Sequence, residues 1–495
     1  MFSKVLIANR GEIAVRLIRG CRELGIATVA IYSEADATAP HVLAADDAVC
    51  IGPPAPAESY LNISRIVDSA RQSGAQAVHP GYGFLAENAA FAQAVTDAGL
   101  TFIGPRAAAM AAMGDKVAAR KRVAAAGVPV VPAVEDVANP LAWPRVAELI
   151  GFPLLIKAAA GGGGKGMRIV HDESELAAAF AAAGREAQSA FGDGRLFIER
   201  YLERPRHVEV QVLGDQHGAI IDLGERECSI QRRHQKIIEE TPSPALTPDL
   251  RAQMTAAALA AAHAVNYSNA GTVEFLLDHD GRFYFLEMNT RLQVEHPITE
   301  LVTGVDLVQA QLRIAAGEPL WLRQDDIRPR GHALECRVYA EDPAQQFLPS
   351  PGLVRHLREP QGPGIRVDSG IMAGFTVPLH YDPLLAKVSV WGETRAAARQ
   401  RMLAALANYV VLGCTTSLPF LLDVLEHPAF AAGDTHTHFI EEHFPVWHRR
   451  EQHRAVAAMA AAIDAARPRR RATGHEPAAP SSPWVTLGHW RLRQG

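Results

Sequence analysis

Short apolar runs alternate with helical patterns in the first part of the chain. Lys4 to Asn9 and Ala27 to Tyr32 carry the apolar and β-branched residues of buried strands. Between them, from about Glu12 to Leu24, apolar residues recur at helical spacing. Strands that alternate with helices are typical of a parallel sheet covered by helices. The pattern therefore predicts an α/β fold that begins with a parallel sheet.

The pattern changes after about residue 112. A helix containing Lys116 leads into the proline-rich connection 128–132, a small unit and a series of longer strands, and a further mixed segment starts near residue 331. Beyond about residue 446 the chain is rich in Ala, Arg and Pro, which is typical of a flexible tail. We therefore expect four parts, at residues 1–112, 113–330 with a small subdomain at about 130–203, 331–446, and 447–495.

Two strand-like runs, one before and one after Asp280-Gly281, predict a hairpin with acidic residues on one face. The Asp280-Gly281 pair between them is typical of a two-residue turn. Such a turn places Glu274 opposite Glu287, and strand alternation points Asn289 to the same side. Facing carboxylates repel each other unless a cation neutralises them, so the pair predicts a Mg²⁺ or Mn²⁺ site. The alternative is a solvated hairpin edge.

Composition narrows the class of protein. The chain has 495 residues and a formal net charge of -5, so it has no basic footprint for nucleic acid. No apolar run reaches the roughly 18 residues of a membrane span, and the N-terminus leads directly into a strand, so a cytoplasmic location is expected. The five scattered cysteines argue against a disulfide framework and a zinc site, and we expect them to be core thiols.

A run of four glycines, Gly161 to Gly164, lies between two apolar runs, the first of which includes Lys157. Glycine lets backbone N–H groups turn toward an anion and lets a loop close over phosphates. A P-loop needs Ser or Thr after Gly-Lys and then a helix, whereas here Lys165 precedes Gly166 and a strand. We expect a phosphate-binding loop of a different kind; the alternative is a flexible linker.

Polar side chains alternate with valines in the next predicted strand. His207, Glu209 and Gln211 share one face. On an interior strand this face would line a cleft, and on an edge strand it would be a wet surface; the pattern favours neither.

Five basic residues then cluster between Arg226 and Lys236. Nearby glutamates flank them and no aromatic residue interleaves, which favours an anion pocket over a nucleic-acid surface.

Together with further short motifs, these stretches resemble biotin carboxylase, of the ATP-grasp superfamily. The resemblance runs in order from Met1 to about Phe444 and rests on Asn9-Arg10-Gly11-Glu12, His79-Pro80-Gly81-Tyr82-Gly83, Met113-Gly114-Asp115-Lys116, the glycine run, Gln231-Arg232-Arg233-His234-Gln235-Lys236, Glu287 to Pro297, His332 to Arg337, and Tyr381-Asp382. It implies an ATP-grasp domain that follows a parallel-sheet domain and precedes a mixed C-terminal domain.

The resemblance also implies a reaction. ATP and bicarbonate would give carboxyphosphate, which carboxylates N1′ of biotin on a carrier protein, as the first half-reaction of an acetyl-CoA or other acyl-CoA carboxylase of the kind that serves fatty acid biosynthesis. Mg²⁺ or Mn²⁺ at two sites, carboxyltransferase partners and a homodimer are implied as well. No Met in the chain precedes Lys, so the carrier motif Ala-Met-Lys-Met is absent and we expect the carrier on another polypeptide.

Position by position, the resemblance implies roles for individual residues. ATP binding would fall to Lys116, Lys157, Gly163, Gly164, Glu199, Arg200, Tyr201, Leu202, His207, Gln231, His234, Glu274 and Glu287. Metal binding would fall to Glu274, Glu287 and Asn289. Bicarbonate would be held by Lys236, Arg291, Gln293 and Val294. Arg200 stands where many members carry Lys, which leaves a role for its side chain in doubt.

The chemistry of the last residues is implied in the same way. Glu295 would be the base that deprotonates bicarbonate, and Arg337 would stabilise the enolate form of biotin. A forked guanidinium such as that of Arg291 suits a planar anion, and a carboxylate close to cations stays ionised and able to accept a proton.

Two other functions compete with this one. Another ATP-grasp ligase, such as a carbamoyl phosphate synthase-like enzyme, would share the nucleotide and metal residues but not the motifs around Arg291 and Arg337. A non-catalytic ATP-binding scaffold is the second alternative. The segment 483–491 is similar to the region beyond this domain in longer acyl-CoA carboxylase α subunits, and it would be a remnant or a partner-docking segment.

Overall fold

A computed structural model of the chain describes residues 1–134, 143–159 and 166–448, together with residues 458, 459, 462 and 463 of the tail. Gly163, Gly164 and nearly all of the predicted tail therefore lie outside the described residues. Residues 1–448 form one compact unit.

The N-terminal part is the predicted parallel sheet. Its β-branched and apolar runs form five strands in the order β3-β2-β1-β4-β5, all parallel to their neighbours. The bounds are β1 Lys4–Ile7, α1 Gly11–Glu23, β2 Ala27–Tyr32, α2 Pro40–Ala44, β3 Asp47–Cys50, α3 Ile63–Gln72, β4 Ala77–His79, α4 Ala89–Asp97, β5 Thr101–Phe102 and α5 Ala107–Gly114. The turns that follow β1 and β4 open at the carboxyl ends of adjacent strands, the edge at which ligands bind in such sheets.

A small antiparallel sheet with its own apolar core comes next. Its strands lie in the order β6-β9-β7-β8, and the glycine run joins β7 to β8. The bounds are α6 Lys116–Ala125, β6 Ala133–Val134, α7 Trp143–Ile150, β7 Leu154–Ala158, β8 Arg168–Val170, α8 Glu173–Phe191 and β9 Leu196–Arg200.

The largest sheet has eight strands in the order β14-β13-β10-β11-β12-β15-β22-β20, and every neighbouring pair is antiparallel. The bounds are β10 Arg206–Gly214, β11 Ile220–Arg232, β12 Gln235–Thr241, α9 Pro248–His263, β13 Asn269–Leu277, β14 Phe283–Asn289, α10 His296–Thr303, α11 Leu307–Ala315 and β15 His332–Tyr339. Strand β10 is interior, so the face that carries His207, Glu209 and Gln211 is buried and not a wet edge.

Of the remaining strands, β22 and β20 complete this sheet, and the others form three two-stranded sheets, β16-β17, β18-β21 and β19-β23, while helices cover the large sheet. Two of them, α12 and α13, pack on β15, and α12 also packs on β22. The bounds are β16 Glu341–Asp342, β17 Leu348–Pro349, β18 Gly352–Leu353, β19 His356–Arg358, β20 Ile365–Ser369, β21 Thr376–Val377, β22 Leu384–Gly392, α12 Arg395–Asn408, β23 Val410–Leu412, α13 Leu418–Glu426, α14 Pro428–Ala432 and α15 Phe439–His443.

The predicted hairpin forms, but its turn differs from the prediction. Strands β13 and β14 are joined by a five-residue connection, 278–282, in which Gly281 has a φ of +83°, so the two-residue turn was wrong. An irregularity in the ladder, with Leu286 as the extra residue, shifts the register back by one and places Glu274 opposite Glu287. The predicted pairing is therefore confirmed, although the turn geometry behind it was not.

The cysteines follow the prediction in part. All five are free, and Cys21, Cys228 and Cys336 are buried, but Cys50 on the edge strand β3 is exposed and is not a core thiol. Among the described residues, no helix has the length and apolar character needed to cross a membrane.

Candidate active site

The three sheets meet around a cavity of about 1000 Å³. Its walls come from the β1 and β4 turns, the small antiparallel sheet and the eight-stranded sheet. It brings together most of the residues that the sequence singles out: Lys116, Lys157, Glu199, Arg200, Tyr201, Leu202, His207, Gln231, His234, Lys236, Glu274, Glu287, Asn289, Arg291, Gln293, Val294 and Arg337. Glu295 is fully buried behind this wall and contacts it through Lys236 and Arg337.

Oxygen ligands gather where β13 and β14 pair. Glu274 accepts hydrogen bonds from Lys236 at 2.8 Å and from Gln293 at 3.1 Å, and its second oxygen lies 3.0 Å from His207. Burial alone would raise the pKa of Glu274, but Lys236 and His207 hold it well below its usual range. An ionised Glu274 beside the half-exposed Glu287 and the amide oxygen of Asn289 is a donor set that suits a hard divalent cation.

Lys236 is the centre of the charged wall. Its ammonium group contacts three carboxylates, at 2.8 Å from Glu274, 2.7 Å from Glu295 and 2.5 Å from Glu209. Burial disfavours the charged form of this lysine, but the surrounding acids raise its pKa well above the usual value. A permanently charged ammonium group at this position can neutralise an anionic substrate.

Glu295 lies between two cations. Lys236 contacts one of its oxygens, and the guanidinium of Arg337 donates to the other at 2.9 Å. Burial alone would raise the pKa of Glu295, yet Lys236, Arg337 and Arg226 hold it well below the ordinary range. The carboxylate is therefore ionised at neutral pH and available as a proton acceptor.

Arg337 is shared between two acids. It donates to Glu295 and, at 2.6 Å, to Glu239 on the neighbouring strand β12. The pKa of Glu239 is raised to about 7, because the effect of burial is larger than the lowering effect of Arg337. Near neutral pH Glu239 therefore carries only part of its negative charge beside Arg337.

The opposite end of the cavity faces the small antiparallel sheet. Lys157 at the end of β7 pairs with Glu199 at 2.9 Å, and Lys116 lies 3.7 Å from Glu287. Burial lowers the pKa of Lys116, with Glu287 opposing the shift. Lysines held by carboxylates at the edge of a glycine-rich loop are suited to phosphate oxygens.

Two neighbouring residues of this wall have a left-handed backbone. Arg233 and His234, in the tight turn between β11 and β12, have φ values of +47° and +65°. Such turns favour Asn and Gly, so two larger side chains there are conformationally costly. Both side chains line the cavity, which is a reason to retain them despite that cost.

Sequence reasoning missed one wall of the cavity. Thr437, His438 and Glu441 lie around the start of α15, and the Tyr201 hydroxyl is 2.9 Å from the ring nitrogen Nε2 of His438. Glu239 is one of the glutamates that flank the basic cluster, and the sequence predicts no role for it. Histidines at alternating positions, His436 and His438, form a polar pattern that could have indicated this segment.

Three family models match consecutive parts of the chain. "Biotin carboxylase, N-terminal domain" matches residues 1–110, "Carbamoyl-phosphate synthase L chain, ATP binding domain" matches 115–323, and "Biotin carboxylase C-terminal domain" matches 335–442.

Individual relatives agree with these matches. The chain is 52% identical to the biotin carboxylase of Nostoc sp., over 89% of this chain and 99% of the relative. It is 51% identical to the biotin carboxylase of Haemophilus influenzae, again over 89% of this chain and 99% of the relative.

A similar solved structure is the biotin carboxylase domain dimer of the Hydrogenobacter thermophilus 2-oxoglutarate carboxylase in complex with MgADP, ADP and bicarbonate. It has a TM-score of 0.87 and 48% identity to this chain, and the match covers 91% of this chain and all of that one.

Proposed function

Since the chain belongs to the biotin carboxylase family and is an ATP-dependent ligase of that family, we propose how the side chains of its cavity divide the carboxylation of biotin among them. The observation that carries the proposal is the placement of Glu295, an ionised base between the cations Lys236 and Arg337.

ATP occupies the end of the cavity that faces the small sheet. Lys116 and Lys157 contact its phosphates, and the glycine run, including Gly163 and Gly164, closes over them. The remaining nucleotide contacts come from Glu199, Arg200, Tyr201, Leu202, His207, Gln231, His234, Glu274 and Glu287. The support for this placement is that the described members of the set line one continuous wall.

Glu274, Glu287 and Asn289 hold the divalent cations, Mg²⁺ or Mn²⁺, at two sites. When bound, such ions neutralise charge on the phosphates during transfer. The support is the pairing of the two glutamates and the depressed pKa of Glu274, which keeps a negative charge in place.

Bicarbonate binds between Lys236, Arg291, Gln293 and the backbone of Val294. The guanidinium of Arg291 is positioned by the hydrogen bonds that it donates to Glu87, at 2.9 Å, and to the side-chain oxygens of Gln293 and Asn289. A positioned guanidinium fork pre-orients a planar anion, so little conformational freedom is lost on binding.

The reaction then proceeds through carboxyphosphate. A bicarbonate oxygen attacks the γ-phosphorus of ATP as the bond to ADP breaks, and Glu295 takes the bicarbonate proton. Carboxyphosphate divides into CO₂ and phosphate. The phosphate removes the proton from N1′ of biotin, and the nitrogen forms a bond to the carbon of CO₂. Arg337 donates to the ureido oxygen, on which negative charge develops.

The division into residues 1–112, 113–330, 331–446 and the tail 447–495 is part of the proposal, with the lid at about 130–203. The carrier that bears biotin and the carboxyltransferase are other chains, the enzyme is a homodimer, and it is cytoplasmic. A streptavidin blot of proteins that co-purify with the chain identifies the carrier.

The decisive experiment measures ATP hydrolysis by the purified protein with Mg²⁺, with and without bicarbonate and free biotin. We expect bicarbonate-dependent hydrolysis that free biotin stimulates, and labelled bicarbonate that appears in carboxybiotin. Arg337→Met should keep the bicarbonate-dependent hydrolysis and lose the stimulation by biotin. If free biotin does not stimulate ATP hydrolysis by the wild-type protein, and the protein forms carbamoyl phosphate from ammonia, the result would support the carbamoyl phosphate synthase-like alternative instead.

A further inference from the structure

Lys387, to which the proposed mechanism gives no role, contacts the loop between β14 and α10 that carries the bicarbonate-binding residues. Lys387 on β22 is completely buried, and its ammonium group donates a hydrogen bond of 2.8 Å to the backbone carbonyl of Val294. A buried lysine is costly unless it is paired and hydrogen-bonded. Its partner is Glu12, at 3.3 Å, in the first turn of α1.

The position of Lys387 in the sheet explains its reach. It lies directly opposite Arg337 in the ladder between β15 and β22, so both side chains project from the same face. Arg337 contacts the carboxylate of Glu295, and Lys387 contacts the carbonyl of Val294. Two neighbouring cations thus hold two consecutive residues of the loop between β14 and α10.

Glu12 gives this arrangement its charge balance. It is 3% exposed, and its two carboxylate oxygens have no hydrogen-bond partner among the described residues apart from the ion pair with Lys387. It belongs to the Asn9-Arg10-Gly11-Glu12 turn, none of whose residues is among the proposed ATP, metal, bicarbonate or catalytic residues. The turn thus connects the N-terminal parallel sheet to the loop that carries the proposed base.

We propose that Lys387 is a positioning residue for the bicarbonate site, an inference that rests on the proposed function. By fixing the carbonyl of Val294, it orients the peptide that joins the bicarbonate-binding residue to the base Glu295. In its ionised form, Glu12 neutralises the buried ammonium group. Neither residue contacts the reacting atoms.

Lys387→Met tests this role, because methionine has a similar length but neither charge nor donor. We expect kcat/KM for bicarbonate to fall about 10- to 100-fold, because an error of about 1 Å in a positioned group is that costly. KM for ATP should stay within about twofold of wild type. Lys4→Met is the matched control, since Lys4 also donates to a backbone carbonyl, that of Ser73 at 3.1 Å, far from the cavity.

The double variant Glu12→Gln/Lys387→Met separates positioning from folding. It removes both charges and should regain stability to denaturant, but the carbonyl of Val294 remains without its donor, so the defect toward bicarbonate should persist. Recovery of kcat/KM for bicarbonate in the double variant would overturn the proposal, as would a Lys387→Met enzyme with a wild-type kcat/KM for bicarbonate.

Wild-type protein in the same assay keeps the two proposals apart. A wild type without bicarbonate-dependent ATP hydrolysis would overturn the proposed function and this inference with it. An active wild type beside an unaffected Lys387→Met enzyme would overturn the inference alone.

Discussion

At the scale of single residues, the cavity is defined by buried charges that settle each other's protonation. Glu295 and Glu239 are both completely buried and both contact Arg337, yet the pKa of Glu295 is depressed and that of Glu239 rises to about 7. Lys236 contacts Glu295 directly at 2.7 Å, and Arg226 adds a further positive charge near it. The cations around Glu295 therefore outweigh its burial, which Arg337 and the more distant Lys236 do not do for Glu239.

Glu295→Gln keeps the size of this side chain and removes its charge. A general base contributes about 10²- to 10⁴-fold, so we expect kcat for biotin-stimulated ATP hydrolysis to fall by that factor. Steady-state kinetics at saturating ATP and bicarbonate measure it. Glu225→Gln is the control, because Glu225 is also buried and paired with Arg251 but does not line the cavity. Equal losses in both variants would indicate damage to the fold and not removal of a base.

Glu12 predicts a pH dependence of stability. Burial raises its pKa from 4.5 to about 7, so between these values the folded state binds more protons than the unfolded state. Its contribution to the free energy of unfolding therefore falls as pH rises from about 4.5 to 7, by up to about 3 kcal/mol.

Glu12→Gln lacks this titration. Its stability relative to wild type should improve between pH 5 and pH 8, which urea denaturation at several pH values measures. Glu58→Gln, which changes an exposed carboxylate, should follow the wild-type curve. A difference between Glu12→Gln and wild type that is the same at all pH values would contradict the prediction.

At the scale of elements, the hairpin of β13 and β14 shows what a sequence can and cannot provide. The residues of its two runs predicted both strands, and the assumed two-residue turn predicted the pairing of Glu274 with Glu287, which the structure shows. The turn was mistaken because Asp280-Gly281 fits a two-residue turn as well as a longer one that places Gly281 at a left-handed position. The irregularity at Leu286, which corrects the register, depends on long-range packing and has no local signal.

Insertions in this hairpin test the importance of register. One alanine inserted after Glu287 shifts Asn289 to the other face of the strand, because side chains alternate. We expect the Mg²⁺ concentration for half-maximal ATP hydrolysis to rise more than about tenfold, since one oxygen ligand is then lost. One glycine inserted after Asp280 lengthens only the exposed connection and should change it less than about twofold. If the two insertions behave alike, register does not govern the metal site.

At the scale of the whole molecule, the sequence predicted the N-terminal sheet and most cavity residues, because strand periodicity and short motifs are local. It did not predict that β12 pairs with β15, which joins the two later parts in one sheet and brings Arg337 to Glu295. Nor did it find Lys387, which is one polar residue within an apolar strand, or His438, which meets Tyr201 only through the fold. Contacts between distant segments require the fold.

The contacts of the described core near residue 447 indicate how far the chain can be shortened without loss of activity. Trp447 is nearly buried, its indole N–H donates to Asp423 at 2.7 Å, and its ring packs against Phe420 with centroids 5.9 Å apart. A chain that ends after His448 keeps these contacts and every proposed site residue. We therefore expect it to retain wild-type biotin-stimulated ATP hydrolysis.

A chain that ends after His443 is the matched comparison. It loses Phe444 and Trp447 from the core around α13, and removal of a large buried aromatic side chain costs about 3 to 5 kcal/mol. We expect a lower midpoint of urea denaturation and reduced activity at 37 °C, measured beside the chain that ends after His448. Full activity and unchanged stability in the shorter chain would show that the core closes before residue 444, whereas loss of activity in both would assign a role to the segment after His448.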